Sequence, residues 1–407
     1  MHMQEKSDRP RWEVADVFRR FGASYAAERP MPSFHTRVMR HILDCRTAAL
    51  GGHVERCGDC GLERPVYNSC RDRHCPKCQT MAKERWVEAR KAELLPVEYF
   101  HKVFTLPHEL NGLALVNKRV VLGILFKAVA ETLLSFGKDS RSRLGGKVGF
   151  TLVLHTWNQQ LLDHFHLHCV IPAGGLSEDG RTWIKSRSGG FLFSVKALGI
   201  VFRGKFLDAL ARAYDQEDLI FPGAISDLSS PQLFATLVES LRSKEWVVYS
   251  KAPFGGPERV LEYLGRYTHR VAIANHRLVD VADEGVRFSY RDRADDNKTK
   301  VAAVSGHEFI RRFLLHALPR GFVRIRHYGF LASRNKQDML MHCRQALAVR
   351  TLEITPRKSA EEMLLQRGID LRCCPRCITG RMRKDHELLV DAALHRRRIS
   401  TAAINTS

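Results

Sequence analysis

Three histidines alternate with other residues in the stretch His-Phe-His-Leu-His-Cys-Val-Ile at 164–171, which runs into a Pro-Ala-Gly-Gly turn. Alternation with period two, followed by β-branched residues, predicts a β-strand that ends at the turn. Side chains two residues apart on a strand share a face, so the imidazoles of His166 and His168 project together while Leu167 faces a core. Two adjacent imidazoles on a rigid strand predict a divalent metal site, and an unliganded polar strand face is the alternative.

A second strand is predicted over residues 149–157, a short connection before the histidine strand. We expect the two strands to pair as an antiparallel hairpin. That pairing would place His155 beside the two metal-site histidines and make it a candidate third ligand. His164 and Gln159 are alternatives for the third position.

Four cysteines form two Cys-x-x-Cys pairs that are separated by 14 residues: Cys57, Cys60, Cys75 and Cys78. A tetrahedral Zn²⁺ takes four soft ligands, and each pair supplies two thiolates from one tight turn. We therefore predict one structural zinc on these four thiolates, which leave no open position for catalysis. Three further residues are spare donors for a swapped ligand or a second ion: Cys70, His74 and His53.

Beyond about residue 350 the composition changes, and half of another zinc motif appears at Cys374 and Cys377. No second pair follows it in the sequence. Three residues are candidates to complete a second zinc site: Cys343, His386 and His395. The remaining tail is basic, and we expect it to be partly flexible and to attract DNA without sequence preference.

The net charge of +21 predicts a polyanionic partner, with nucleic acid ahead of an anionic membrane surface. The most apolar stretch, residues 113–136, is interrupted by four charged residues, so we expect an amphipathic helix rather than a membrane span. No signal peptide is visible at the N-terminus, which favours the cytosol. Thiols stay reduced there, so the 11 cysteines are expected to bind metal or lie buried rather than form disulfides.

A helix is predicted to begin near Pro257, and it carries two tyrosines four residues apart, Tyr263 and Tyr267. On a helix both hydroxyls share one face. Three arginines that surround them are candidates for DNA contacts: Arg259, Arg266 and Arg270. Packing of the tyrosines into a core is the alternative to a reactive face.

Basic and aromatic residues alternate again near residues 321–329, where a strand is predicted. Four residues there are candidates for phosphate contacts and base stacking: Arg324, Arg326, His327 and Tyr328. An exposed strand edge is the alternative. Other strands are expected at 101–106, 271–274 and 286–291, and other helices near the N-terminus and at 79–95, 110–136 and 306–317.

The ordered set of a four-cysteine module, a His-hydrophobic-His strand and a Tyr-x-x-x-Tyr helix resembles the insertion-sequence-91 family of rolling-circle transposases, within the HUH endonuclease superfamily. The resemblance covers most of residues 35–345. It is carried by the motifs at 67–78, 155–157, 166–169, 263–267 and 324–329.

The resemblance implies an α+β fold with an HUH-type central antiparallel sheet flanked by helices. A helical, zinc-ribbon-like domain over residues 1–95 would precede the endonuclease domain at 96–350, and a small basic segment at 351–407 would follow it. The implied activity is that of a transposase that cleaves and rejoins single-stranded DNA at transposon ends through a 5′-phosphotyrosine.

In the implied mechanism Tyr263 and Tyr267 are the nucleophiles, and His166 and His168 hold Mg²⁺ or Mn²⁺. His155 stands where relaxases of this superfamily place a third histidine. The implied partners are single-stranded and double-stranded DNA at transposon termini and target, with no membrane. The implied location is the bacterial cytoplasm at the nucleoid.

Three other functions fit parts of the sequence. A rolling-circle plasmid replication initiator would use the same chemistry without moving an element. A histidine-triad nucleotide hydrolase or transferase would use the His-x-His-x-His pattern alone, but it leaves the tyrosines, the cysteines and the basic charge unexplained. A non-enzymatic zinc regulator would bind duplex DNA without forming a covalent adduct.

Overall fold

The computed structural model describes residues 10–142, 144–186, 192–251, 259–260, 265, 271–349, 358–366 and 368–390. Within these ranges the strands pair antiparallel and helices flank the sheets, which confirms the predicted α+β class.

In these ranges the helices are α1 (Val14–Glu28), α2 (Ser33–Asp44), α3 (Pro76–Lys91), α4 (Asn111–Val116), α5 (Lys118–Lys138), α6 (Val195–Asp215), α7 (Pro231–Ser243), α8 (Gly306–Leu315), α9 (Lys336–Ala346) and α10 (Ala360–Leu365). The strands are β1 (Gly52–Cys57), β2 (Glu63–Tyr67), β3 (Tyr99–Thr105), β4 (Gly149–Trp157), β5 (Asp163–Pro172), β6 (Gly174–Leu176), β7 (Trp183–Lys185), β8 (Val248–Lys251), β9 (Leu278–Ala282), β10 (Gly285–Asp292), β11 (Lys298–Val304), β12 (Ile325–Gly329) and β13 (Met382–Leu388).

A five-stranded antiparallel sheet, in the order β12-β4-β5-β3-β8, carries the histidine strand at its centre. The predicted hairpin is confirmed, because β4 pairs with β5 and sets His155 opposite His166. Leu154 and Leu167 also face each other, one position along, and both are buried in the main core. The period-two pattern thus separates a histidine face from an apolar face, as expected for a strand.

The apolar face of this sheet is covered mainly by α5 and α6, which bury Phe126 and Phe206 in the main core. Helix α5 is long and apolar enough to cross a membrane, but more than half of its most apolar window is buried inside the protein. The predicted helix at 110–136 is split at Asn117, whose side-chain amide donates to the carbonyls of Leu113 and Ile220.

A second core lies between the three-stranded sheet β11-β10-β9 and helices α1, α2 and α8. Phe18 packs edge-on against Phe313, and Phe288 packs edge-on against Phe309. The strand predicted at 271–274 is wrong, because this stretch is irregular even though Ile273 is fully buried in the second core.

A third sheet, in the order β13-β1-β2, joins distant parts of the chain. Strand β13 comes from the predicted C-terminal segment, whereas β1 and β2 come from the predicted N-terminal domain. The division at residues 95 and 350 stays a prediction. The described part of the C-terminal segment nevertheless completes an N-terminal sheet instead of standing apart from it.

Candidate functional site

Three buried histidines meet on the polar face of the central sheet. Each of His155, His166 and His168 offers a ring nitrogen, and these nitrogens all lie within 4.8 Å of one another. The Nε2 atoms of His166 and His168 are 3.2 Å apart. Adjacent strands supply the cluster, so its geometry is fixed by backbone pairing and not by a loop.

The hydrogen bonds of His166 orient its ring for ligation. Its Nδ1 lies 2.8 Å from the backbone carbonyl oxygen of His164, which can only accept, so Nδ1 carries the proton. Burial lowers the pKa of His166 to about 3 and that of His168 well below its ordinary value. Neutral rings with a lone pair on Nε2 are the form in which imidazole binds a metal ion.

A fourth histidine, His101 on β3, was not singled out by the sequence analysis. Its Nε2 lies 2.9 Å from Nδ1 of His168, and burial lowers the pKa of His101 to about 4. Strand β3 was predicted, but its pairing with β5 was not, and only that pairing brings His101 to the cluster. When His168 donates its Nδ1 proton to His101, its own Nε2 becomes available to a metal ion.

The two alternatives for the third ligand lie outside the cluster. His164 is exposed, and it contributes its backbone carbonyl to His166. The backbone carbonyl of Gln159 accepts from the guanidinium of Arg277. His155 stacks on Trp157, with 5.2 Å between ring centroids.

The predicted nucleophiles Tyr263 and Tyr267 lie outside the described residues, as do Arg266 and Arg270. Residues near them in sequence are described. Arg259 is exposed, and Val260 is fully buried against Tyr99 and Val170. Val170 follows His168 by two residues on the same face of β5.

The four predicted DNA-contacting residues on and beside β12 differ in their surroundings. The Arg326 guanidinium lies 4.0 Å from the ring centroid of Phe126, and Tyr328 stacks on Phe150 at 5.5 Å. His327 faces the opposite way and contacts Thr151 at 2.9 Å and Arg90 at 3.3 Å. Arg324 is half-buried, and its guanidinium lies 3.4 Å from the side-chain oxygen of Gln79. Their role in DNA binding stays a prediction.

The four predicted zinc ligands do not form one cluster, and this grouping is corrected. One thiol cluster consists of Cys45, Cys70, Cys75 and Cys78, and the other consists of Cys57, Cys60, Cys374 and Cys377. The two pairs look equivalent in sequence, but β1 and β2 carry the first pair away from the start of α3, where the second pair lies. Each pair therefore finds different partners.

The first cluster adds Cys45, which the sequence analysis missed, and Cys70, which it held as a spare donor. The Sγ atom of Cys78 lies 3.5 Å from that of Cys45 and 3.6 Å from that of Cys70. Cys45 follows α2 directly. The first cluster therefore uses a cysteine at the end of a helix where a second Cys-x-x-Cys pair was expected. Thiols at these separations fit the edges of a tetrahedral thiolate site, which are about 3.8 Å for Zn–S bonds of about 2.3 Å.

The loop of the first cluster is also tied to the segment that precedes β12. Arg73 donates to the backbone carbonyls of Leu318, Pro319 and Phe322. His74 Nε2 accepts from the backbone N–H of Leu318 at 3.2 Å, and Asp72 accepts from Nδ1 of His74 at 2.9 Å. The predicted spare donor His74 is therefore engaged with this loop. A metal ion here would stabilise both the module and the entry to β12.

The half motif at Cys374 and Cys377 is completed by Cys57 and Cys60 and not by the predicted candidates. Cys343 is buried in a separate hydrophobic cluster, where burial raises its pKa to about 12. His386 is exposed and contacts Asp385, and His395 lies outside the described residues. The other spare donor, His53, lies on β1, 3.6 Å from Glu55.

Comparison with known proteins identifies the family. A family model for a transposase zinc-binding domain matches residues 17–106, and a model described as "Putative transposase" matches residues 149–338. "Putative transposase y4qJ" of Sinorhizobium fredii is 49% identical over 375 residues, covering 91% of this chain and 94% of the relative. The transposase for insertion sequence element IS801 of Pseudomonas savastanoi pv. phaseolicola is 28% identical over 319 residues, covering 78% and 75%. No solved structure matches significantly. The chain belongs to the insertion-sequence-91 family of transposases.

Proposed function

We propose that this transposase cleaves and rejoins single-stranded DNA at the ends of its element through a 5′-phosphotyrosine on Tyr263 or Tyr267. The observation that carries the proposal is the convergence of His155, His166 and His168 on one sheet face. This reaction class requires a divalent metal site and a tyrosine nucleophile.

The residues present fit a divalent ion. Three neutral imidazoles leave coordination positions open for phosphate and water, unlike the closed thiolate clusters. The Nε2 atoms of His166 and His168 lie 3.2 Å apart. A cation bound by both atoms would offset the repulsion between their lone pairs. A bound Mg²⁺ or Mn²⁺ would neutralise phosphate oxygens and orient the scissile bond.

The chemistry assigned to the tyrosines is transesterification. The phenol oxygen forms a bond to phosphorus as the bond from phosphorus to the 3′-oxygen breaks, and the proton lost by the phenol is balanced by the one that the 3′-hydroxyl gains. A phenol has a pKa near 10, so it leaves again readily and conserves the bond energy for rejoining. Two tyrosines permit two successive transfers without hydrolysis.

Two described residues that lie near the tyrosines in sequence support this assignment. Val260 packs against Val170, which shares a face of β5 with the histidine pair. A β-carbon placed at Gly265 would lie 2.8 Å from Val87 on α3. The Val260 contact lies on the histidine side of the central sheet, and Trp86 of α3 packs against the same cluster.

The basic charge supports a polyanionic substrate, and transposases act on DNA. An open groove beside the edge strand β12 is lined by Arg119, Phe322, Arg326 and His327. Cationic side chains along a groove suit the phosphate backbone of a single strand. We assign the groove to single-stranded DNA near the cleavage site, duplex DNA at termini and target to other basic surfaces, and the enzyme to the bacterial cytoplasm.

The test is covalent trapping. Single-stranded DNA that carries the element's terminus should give a denaturant-resistant adduct that retains label placed 3′ of the nick. Tyr263→Phe with Tyr267→Phe should eliminate the adduct, whereas Tyr249→Phe, an exposed tyrosine on β8, should leave it unchanged. Peptide mapping of the adduct to any other residue would overturn the assignment of the nucleophiles.

Metal dependence needs its own test. EDTA should abolish cleavage, and His166→Ala or His168→Ala should separately abolish cleavage and leave DNA binding largely intact. Undiminished cleavage in EDTA would contradict metal assistance and favour histidine-triad chemistry. Adduct formation at a plasmid origin, with none at the element's ends, would favour a replication initiator instead.

A further inference from the structure

The second thiol cluster joins the two ends of the chain. Cys57 and Cys60 follow β1, whereas Cys374 and Cys377 precede β13. We propose that these four cysteines bind a second structural zinc ion and that the resulting zinc ribbon is assembled from segments more than 300 residues apart. The inference is independent of the cleavage chemistry.

The sulfur geometry fits a metal and not disulfides. The Sγ atoms of Cys57 and Cys377 are 3.7 Å apart, and those of Cys60 and Cys374 are 3.6 Å apart. A tetrahedron of thiolates with Zn–S bonds of about 2.3 Å has edges of about 3.8 Å. A disulfide needs an S–S distance of about 2.05 Å.

Each turn of the cluster depends on a glycine. The backbone N–H of Gly380 donates to Sγ of Cys377 at 3.3 Å, a bond that a thiolate strengthens. A β-carbon at Gly380 would lie 2.4 Å from Sγ of Cys57, so only glycine fits there. In the other turn Gly61 has φ +66° and donates to the carbonyl of Cys57 at 3.2 Å.

Backbone pairing holds the two turns in register. Strands β1 and β13 pair antiparallel from Gly52 opposite Leu388 to Cys57 opposite Met382. Arg64 on β2 donates to the carbonyl of Leu371 at 2.8 Å, just before the second turn. Two Cys-x-x-Cys turns beside one three-stranded sheet form the arrangement of a zinc ribbon.

The apolar core of this sheet is very small. Its buried members are Cys57, Cys374 and Met382, with Leu62 partly buried beside them. A core of this size cannot offset the entropy of ordering a separate segment, and small modules usually rely on a metal or a disulfide. Thiolates select zinc over Mg²⁺ or Mn²⁺, so this site is distinct in kind from the histidine site.

The proposal requires two thiolate-bound ions per chain. The matched zinc-binding domain covers residues 17–106, which contain all four ligands of the first cluster but only half of the second. A single zinc ion would occupy only one set of four thiols. The described residues contain two complete sets, which provide for two ions.

The first experiment measures zinc in the full-length protein. A His166→Ala background removes a ligand of the histidine site, so the zinc that remains reports the thiolate sites. We expect two zinc ions per chain, one after Cys374→Ser with Cys377→Ser, and two after Cys373→Ser. Cys373 is the matched control, because it adjoins Cys374 but its thiol contacts the carbonyl of Ile378 at 3.0 Å. An unchanged zinc content in the double variant would overturn the proposal.

The second experiment uses the wild-type chain, so it does not depend on the folding of a variant. Alkylation of the zinc-loaded protein, read by peptide mass spectrometry, should label Cys373 and spare the four ligands of the second cluster. After zinc is removed with a chelator, those four thiols should become reactive together. Labelling of Cys374 and Cys377 in the loaded protein at the rate of Cys373 would contradict the proposal.

Discussion

His101 Nε2 and His168 Nδ1 lie 2.9 Å apart, and the two rings stack with centroids separated by 5.1 Å. A ligating imidazole is usually fixed by a partner of this kind on its other nitrogen, which sets the tautomer and the ring orientation. His101 is therefore placed to position His168.

His101→Leu should weaken the binding of Mn²⁺ at the histidine site by about 10–100-fold. The reason is that His168 loses the acceptor for its Nδ1 proton. The measurement is the Mn²⁺ concentration for half-maximal cleavage, together with direct Mn²⁺ titration. His101→Gln, which keeps an acceptor, should recover much of the loss, and His53→Ala on β1 should have no effect. Equal affinity in His101→Leu would refute this role.

Gly265→Ala should slow adduct formation by up to about 10²-fold, because misplacement of a reacting group by about 1 Å costs that much. The added β-carbon would lie 2.8 Å from Cγ2 of Val87 and 3.2 Å from Cε of Lys83. Val87→Ala in the same chain should restore the rate by vacating that space. Gly204→Ala, a helical glycine with open space around its β-carbon, serves as the control and should cleave normally.

The affinity for single-stranded DNA should fall less steeply with salt concentration in Arg259→Ala than in the wild type. The change in the slope of log affinity against log salt concentration should correspond to the loss of about one phosphate contact. Arg259 is exposed, so its charge is available to a phosphate. Fluorescence anisotropy at several salt concentrations gives the slope. An unchanged slope would remove Arg259 from the DNA interface.

Arg326→Ala should lower the melting temperature and also weaken binding of single-stranded DNA, because Arg326 packs on its neighbours and lines the groove beside β12. Its guanidinium packs on Phe126 and lies 5.2 Å from the Phe322 centroid, and its Nε donates to the carbonyl of Val323 at 3.1 Å. These contacts stabilise the loop before β12. An unchanged melting temperature would show that the packing of Arg326 does not stabilise this loop.

Lys102→Met should stabilise the protein at pH 7 by about 1–3 kcal/mol. Lys102 is fully buried on the apolar side of β3, where burial lowers its pKa to about 8. Between pH 8 and the ordinary value of 10.5 the unfolded chain binds more protons than the folded one, so this lysine's penalty declines as the pH rises.

Urea unfolding at pH 7 and pH 9.5 measures this effect as the difference between wild type and Lys102→Met. The difference should shrink at the higher pH. Lys127→Met, at an exposed position on α5, should show no such trend. A constant difference at both pH values would show that burial does not lower the pKa of Lys102 in the folded state.

Local patterns predicted the histidine strand and its partner well, because a period-two sequence encodes which face each residue occupies. His155, His166 and His168 could therefore be brought together from the sequence alone. His101 could not, because its contact depends on the pairing of β3 with β5, 67 residues away in the chain. The strand predicted at 271–274 was wrong because an apolar pattern indicates burial and not strand pairing. Ile273 is buried but does not belong to a strand.

The cysteine motifs show the same limit more sharply. Each Cys-x-x-Cys pair predicts a turn with two thiolates, but nothing local says which other pair completes the site. Cys57 lies closer in sequence to Cys75 than to Cys374, yet the β1–β13 ladder determines its partners. The break in the long helix at Asn117 likewise depends on a carbonyl at Ile220, 103 residues later.

The pairing of β1 with β13 also sets an order of events during protein synthesis. Cys374 is translated 314 residues after Cys60, an interval of roughly 15–60 s at bacterial and eukaryotic elongation rates. Throughout that interval β1 has β2 on one side and an open edge on the other, next to two unpaired thiols. A ribosome that stops before residue 374 releases a chain with that edge uncovered, which makes prematurely terminated copies open to proteolysis and aggregation.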